Sequence, residues 1–228
     1  MELQNLTPIE PRTIKANVLE ILRQSIIDGS LAPGTEFNQA QIAERLGISR
    51  GPVREAMAQL EQEGLIESTP YKVVVITRMT RRYVEELYSV RIALEELAVE
   101  RAIERITDEH LAYFNEIIEE MRRAARRDDK TRMLDLDLHF HEYLLQIADH
   151  HLALKLWRVV EVGVRRCLHT RHKIYTFLDE VVGSHPTLVT ALAERNLELA
   201  RIALNEHIME SLSHILVNLP PDDASEEA

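Results

Sequence analysis

The sequence predicts a mainly α protein in two parts. A small N-terminal unit of three helices and a β-hairpin precedes a larger all-helical bundle. Three observations carry this. Seven glycines and 29% charged residues, with Leu, Ala, Glu and Arg frequent, are a helical composition. Apolar residues recur at helical spacing in segment after segment, with a β-rich interruption around 65–76. All ten histidines lie between His110 and His214, so the N-terminal third differs in chemistry from the rest. The 228 residues, 45% of them apolar, suffice for one large domain or two small ones. The boundaries read as 1–77, 78–218 and an acidic, disordered tail over 219–228.

In the first part, residues 1–12 carry Thr7-Pro8 and Pro11 and read as a loose arm. From Thr13, Val18, Leu19, Leu22 and Ile26 mark a helix that Asp28-Gly29-Ser30 ends. Asn38 with Gln41 three residues on is a capping-box pattern that opens a second helix, closed by Gly47. Ser49 is a good N-cap for a third, in which Pro52 is tolerated in the first turn and Val53, Met57 and Leu60 face inward. Leu65-Ile66-Glu67 and Val73-Val74-Val75-Ile76 form a β-rich pair around Ser68-Thr69-Pro70-Tyr71. This order is that of a winged helix-turn-helix, whose third helix reads DNA. Arg50 and Arg54 share one exposed face near that helix's start, and the arginine fork matches the two major-groove acceptors of guanine. Ser49 and the helix N-terminus suit a phosphate. Two arginines on a solvated face are the plain alternative.

The stretch Gln41-Ile42-Ala43-Glu44-Arg45-Leu46-Gly47-Ile48-Ser49-Arg50-Gly51-Pro52-Val53-Arg54-Glu55-Ala56, with Leu31-Ala32-Pro33-Gly34 before it and Leu60-Glu61-Gln62-Glu63-Gly64-Leu65-Ile66 after it, closely resembles the GntR family of bacterial transcription regulators. The resemblance implies that Arg50 and Arg54 contact double-stranded operator DNA. Pro70-Tyr71-Lys72-Val73 departs from the family in lacking a glycine at the wing tip. The net charge of −11 argues against a broad, non-specific grip on nucleic acid and leaves room for a small basic face.

After a short link, Arg78-Met79-Thr80-Arg81-Arg82, six helical segments are expected: 80–105, 107–127, 130–148, 151–173, 178–193 and 196–217. Asp137 and His141 stand four residues apart, which stacks them on one helix face beside a stripe of Leu134, Leu138, Leu145 and Ala148. A carboxylate and an imidazole facing a core need a partner, and a metal ion would serve. His185, before Pro186, and His207 can complete a set of three imidazoles and one carboxylate. That set suits zinc, nickel or manganese. A surface Asp–His pair is the plain alternative. Arg91 adjoins an apolar stripe and reads alone as an i,i+4 partner of Glu95. Arg165, Arg166 and His169 could line an anionic pocket but read more readily as a solvated face, Trp157 reads as core or interface, and Cys167 as a packed small residue.

Val90-Arg91-x-x-Leu94-Glu95-x-x-Ala98, Asp137-x-x-Phe140-His141-x-x-Leu144, and His185 followed by His207 resemble the FCD effector domain of the FadR subfamily, in its shorter VanR-like branch. That resemblance implies that Asp137, His141, His185 and His207 bind the ion, with a small organic acid beside it and Arg91 among the pocket groups. The expectation is therefore a homodimeric, ligand-responsive DNA-binding regulator, a repressor rather than an enzyme. A metal-dependent hydrolase built on the same four residues, with a metal-bound water, is the rival. A purely structural ion is a third reading. No apolar run approaches the roughly 18 residues of a membrane span. The absence of a signal pattern and the single Cys167 point to the cytoplasm.

Overall fold

The computed structural model describes residues 13–68, 73–174 and 182–219. The expected arm (1–12), wing tip (69–72), first residues of the fifth bundle segment (178–181) and tail (220–228) lie outside the described residues. The chain divides into two compact units, Met1–Arg78 and Met79–Ala228.

In the first unit, α1 (Ile14–Ile27) starts where Thr13 Oγ1 accepts from Ala16 N, and it buries Val18, Leu19, Leu22 and Ile26. The capping box forms: Asn38 Oδ1 accepts from Gln41 N and Gln41 Oε1 accepts from Asn38 N, opening α2 (Gln39–Leu46). Gly47 ends α2 in the left-handed region, at φ 65°, where a side chain would be strained. α3 (Arg50–Gln62) buries Val53, Ala56, Met57 and Leu60 and packs on α1. A two-toothed ion pair fastens these helices, Arg23 Nη2 to Glu63 Oε1 at 2.6 Å and Arg23 Nε to Glu63 Oε2 at 3.0 Å. The sheet has three strands rather than the expected two. β1 (Glu36–Phe37) joins β2 (Ile66–Ser68) and β3 (Val74–Ile76) in the antiparallel order β1-β3-β2, with Phe37 opposite Val74 and Ile66 opposite Ile76. Leu65, Ile66, Val74 and Ile76 close the core over α3.

The second unit is built around α4 (Arg81–Arg105), which packs against α6 (Lys130–Ile147), α7 (His151–Ile174), α8 (His185–Ala193) and α9 (Leu197–Val217). α5 (Asp108–Arg126) lies on α6 and α8. A helix with neighbours on several sides must bury more than one face. On α4 the row Val84, Tyr88, Arg91, Glu95, Ala98 and Ala102 is buried, so its Arg and Glu go inside with it. Thr107 and Asp129 cap α5 and α6, and the box partner of Thr107 is His110 instead of an acid. No helix among the described residues is long and apolar enough to cross a membrane.

Candidate functional site

α6 presents its buried side to α4, and on that side Asp137 and His141 sit one turn apart among Met133, Leu134, Leu138, Phe140 and Leu144. His185 is the first residue of α8. Pro186 fits that helix's first turn, where no backbone donor is required, and the His185 ring lies edge-on to Phe140 at 4.7 Å. His207 enters from α9, its ring 4.4 Å from that of His185. One ligand atom from each of Asp137, His141, His185 and His207 falls within 4.8 Å of the others, and all four residues are buried. The structure thus brings together the whole expected set, from three helices.

Tautomers follow from the neighbours. His141 Nδ1 lies 2.5 Å from Glu95 Oε2, an acceptor, so Nδ1 carries the hydrogen. His207 Nδ1 lies 2.7 Å from Ser184 Oγ. The other nitrogens, His141 Nε2 and His207 Nε2, then face each other at 3.0 Å. The Ser184 hydroxyl serves either tautomer of His207, so what joins the two nitrogens is a hydrogen carried by His207 Nε2 or a shared metal ion. His185 Nε2 is 3.3 Å from Asp137 Oδ1. Separations near 3 Å are what ligands about 2.1 Å from one shared ion have, and the donor set suits a borderline divalent metal. The residues fit the group.

Burial alone would raise the Asp137 carboxyl, but the hydrogen bond with His185 and the neighbouring imidazoles of His141, His185 and His207 hold it well below the usual carboxylate range. Burial would raise Glu95 as well, and it is outweighed by His141 and Arg91 on its two oxygens, which keep it ionised. Burial, then the neighbouring His185 and His141, push His207 well below the ordinary imidazole value, so it is neutral and able to ligate.

Arg91 is 1% exposed, and its Nε donates to Glu95 Oε1 at 2.7 Å, so the i,i+4 pair forms inside the bundle rather than on its surface. Arg91 Nη2 and Trp157 Nε1 are buried without a hydrogen-bond partner among the described residues. Their side chains meet, with Arg91 Cζ 5.8 Å from the Trp157 ring centroid, and that ring is 6.2 Å from His141. Arg166 corrects the expectation of a solvated face: it is 4% exposed, and burial lowers its pKa. Arg165 pairs with Asp135 and Glu161. Cys167 is packed against Met79 Sδ, its thiol pushed up by burial to about 12. His139 points away from the cluster, to Tyr113 Oη at 2.9 Å.

In the N-terminal unit Ser49, Arg50 and Arg54 are all exposed at the start of α3. Ser49 occupies the N-cap position, but its hydroxyl makes no capping bond. Neither arginine is in an ion pair among the described residues.

Sequence reasoning missed Ser184 and the second contact of Glu95. The signal for Glu95 was its place in the same row as Tyr88, Arg91 and Ala98, which makes it a buried acid needing more than one partner. Ser184 had only its adjacency to His185.

Comparison with known proteins agrees with both halves. The pattern of "Bacterial regulatory proteins, gntR family" matches residues 14–76, and that of the "FCD domain" matches residues 86–210. The chain is 30% identical over 199 residues to the uncharacterized HTH-type transcriptional regulator YdhC of Bacillus subtilis (strain 168), covering 86% of this chain and 89% of YdhC. It is 27% identical over 205 residues to the HTH-type transcriptional repressor RspR of Escherichia coli (strain K12), covering 90% of this chain and 89% of RspR. In fold it is similar to the solved structure of E. coli McbR/YncC, with a TM-score of 0.75 at 23% identity over 89% of this chain and 97% of that one. These relatives are regulators rather than hydrolases, and Glu142, the acid beside His141 in sequence, is paired with Arg158 Nε at 3.1 Å. The chain belongs to the gntR family of bacterial transcription regulators, with a helix-turn-helix unit followed by an FCD domain.

Proposed function

We propose that this regulator is a homodimeric repressor controlled by a small organic acid bound beside a divalent metal ion. Ser49, Arg50 and Arg54 hold and read the operator, Ser49 through phosphate and the arginines through base edges. Asp137, His141, His185 and His207 hold zinc, nickel or manganese, which supplies a fixed positive charge with room for an oxygen ligand. Arg91 takes the acid's carboxylate. The observation that carries the reading is the pair of orphaned buried donors, Arg91 Nη2 and Trp157 Nε1, beside four clustered ligand groups. A buried donor left unmade costs about 1–3 kcal/mol, which an acceptor on a ligand would restore. Exposed apolar side chains on α7 (Leu152, Leu156 and Val159) and on α4 (Val90) support pairing of two copies. The acid would shift the population of dimer geometries and with it the spacing of the two DNA-reading units. Repression is inferred from the similarity to the repressor RspR.

The test is thermal unfolding of the metal-loaded chain against hydroxy acids, sugar acids and dicarboxylates. One acid class should raise the midpoint in a dose-dependent way, by mass action on the folded state. The rise should vanish in Arg91→Ala and Asp137→Ala. If no acid shifts the midpoint while zinc alone raises it, the ion is structural and the acid-sensing reading fails.

A further inference from the structure

Resting on the metal reading above, we propose that Glu95 is a positioning residue that holds His141 in the metal-binding tautomer and Arg91 in its pocket orientation with one carboxylate. Both oxygens are committed. Oε1 accepts from Arg91 Nε at 2.7 Å and Oε2 accepts from His141 Nδ1 at 2.5 Å. Glu95 is 0% exposed, so water does not compete for either oxygen. Arg91 lies one turn away on the same helix, whereas His141 comes from α6, 46 residues on in sequence. Glu95 thus joins the guanidinium to a metal ligand by one hydrogen bond on each side.

The chemistry requires two acceptors at this position. With Nδ1–H given to Glu95, the lone pair of His141 is on Nε2, the atom that faces His207 Nε2. A ligating histidine whose other nitrogen donates to a carboxylate is oriented and made a stronger donor to the ion. The second oxygen neutralises Arg91 at Nε and leaves Nη2 to point elsewhere.

Glutamine has nearly the same shape but one acceptor and one NH2 group. With its oxygen toward His141, its NH2 faces the Nε–H of Arg91, donor against donor. Turned over, its NH2 faces Nδ1 and drives the hydrogen of His141 to Nε2, which can then no longer ligate. The experiment is zinc titration of the full chain, first stripped of metal, in competition with a chromogenic chelator. Wild type should take up one zinc per chain, and Glu95→Gln, checked as folded by circular dichroism, should bind it ten-fold or more weakly. Equal affinity in folded Glu95→Gln overturns the role of Glu95 and leaves the metal reading standing. Failure of wild type to bind zinc removes the metal reading itself. Should Glu95→Gln not fold, nitrogen-15 imidazole spectra of the zinc-loaded wild type decide: a His141 protonated at Nδ1 and bound at Nε2 supports the proposal, and the opposite tautomer overturns it.

Discussion

At the scale of single residues, the proposed DNA contacts of Arg50 and Arg54 rest on their exposure at the start of α3. Neither Arg50 nor Arg54 stabilises the fold through an ion pair among the described residues, so replacing either should leave unfolding unchanged. A bidentate arginine–guanine contact is worth about 1–3 kcal/mol, roughly 5- to 150-fold in affinity. Arg54→Ala should therefore weaken binding by that factor to DNA enriched from genomic fragments by the wild-type chain. It should also relax base preference at one position of each half-site, whereas loss of a phosphate contact would weaken all sequences alike. Re-selection with the variant distinguishes these, and an unchanged selected sequence would remove Arg54 from the reading set. These arginines were legible in sequence because the N-cap, the Pro52 in the first turn and the inward Val53 and Met57 fix which side of the helix remains outside. Asp137 and His141 were legible for the same reason, since spacing on one helix reports one shared face. Glu95 was half legible. Helical spacing shows its partner on its own helix, Arg91, but His141 reaches it across a helix packing that no local period encodes. Arg166 was misread because a long cationic side chain next to buried Cys167 looks from sequence like a boundary residue.

At the scale of elements, short helices depend on their ends more than long ones do. α2 has eight residues, and among them only Ala43 is fully buried, so packing contributes little and its capping box matters. Asn38 Oδ1 satisfies both Ala40 N and Gln41 N at the exposed start of the helix. Asn38→Ala should cost about 1 kcal/mol. In a unit of this size that is a fall of about 4–8 °C in its unfolding midpoint, with the helical unit's transition unmoved. A change below 1 °C in differential scanning calorimetry would mean that α2 is held by packing instead. The capping box was legible because Asn and Gln three apart have few other reasons to precede an apolar run. The third strand was not, since the two residues of β1 are too few to show alternation, and only pairing with β3 defines it. α4 shows the opposite limit: a helix buried on several sides has no single apolar face, and its length and terminal caps, rather than its pattern, locate it.

For the whole molecule, the consequence of two separate cores is that metal should act on one of them. The four ligand groups come from α6, α8 and α9, all within the unit Met79–Ala228, so an ion there ties three helices of that unit. At free zinc 100 times its dissociation constant the gain is about 2.7 kcal/mol. For a unit of about 150 residues that is a rise of roughly 5–10 °C in one transition. Chelation should reverse it and leave the transition that Asn38→Ala moves where it was. Acid should deepen the loss in the stripped chain. The folded state keeps His207 neutral, while an unfolded histidine takes up a proton below about pH 6.5. In that window the unfolded chain binds more protons, so stability falls as pH falls. The Asp137 carboxyl adds to this at lower pH, because it is held ionised in the folded state and its contribution is lost only as pH drops toward its depressed folded value. Scanning calorimetry of stripped and zinc-loaded chain at pH 7.5 and pH 5.5 measures the zinc and His207 effects, and a further scan near about pH 3 adds that of Asp137. A chelator that shifted both transitions equally would show the two units unfolding as one, and the ion's effect could then no longer be assigned to the helical bundle alone.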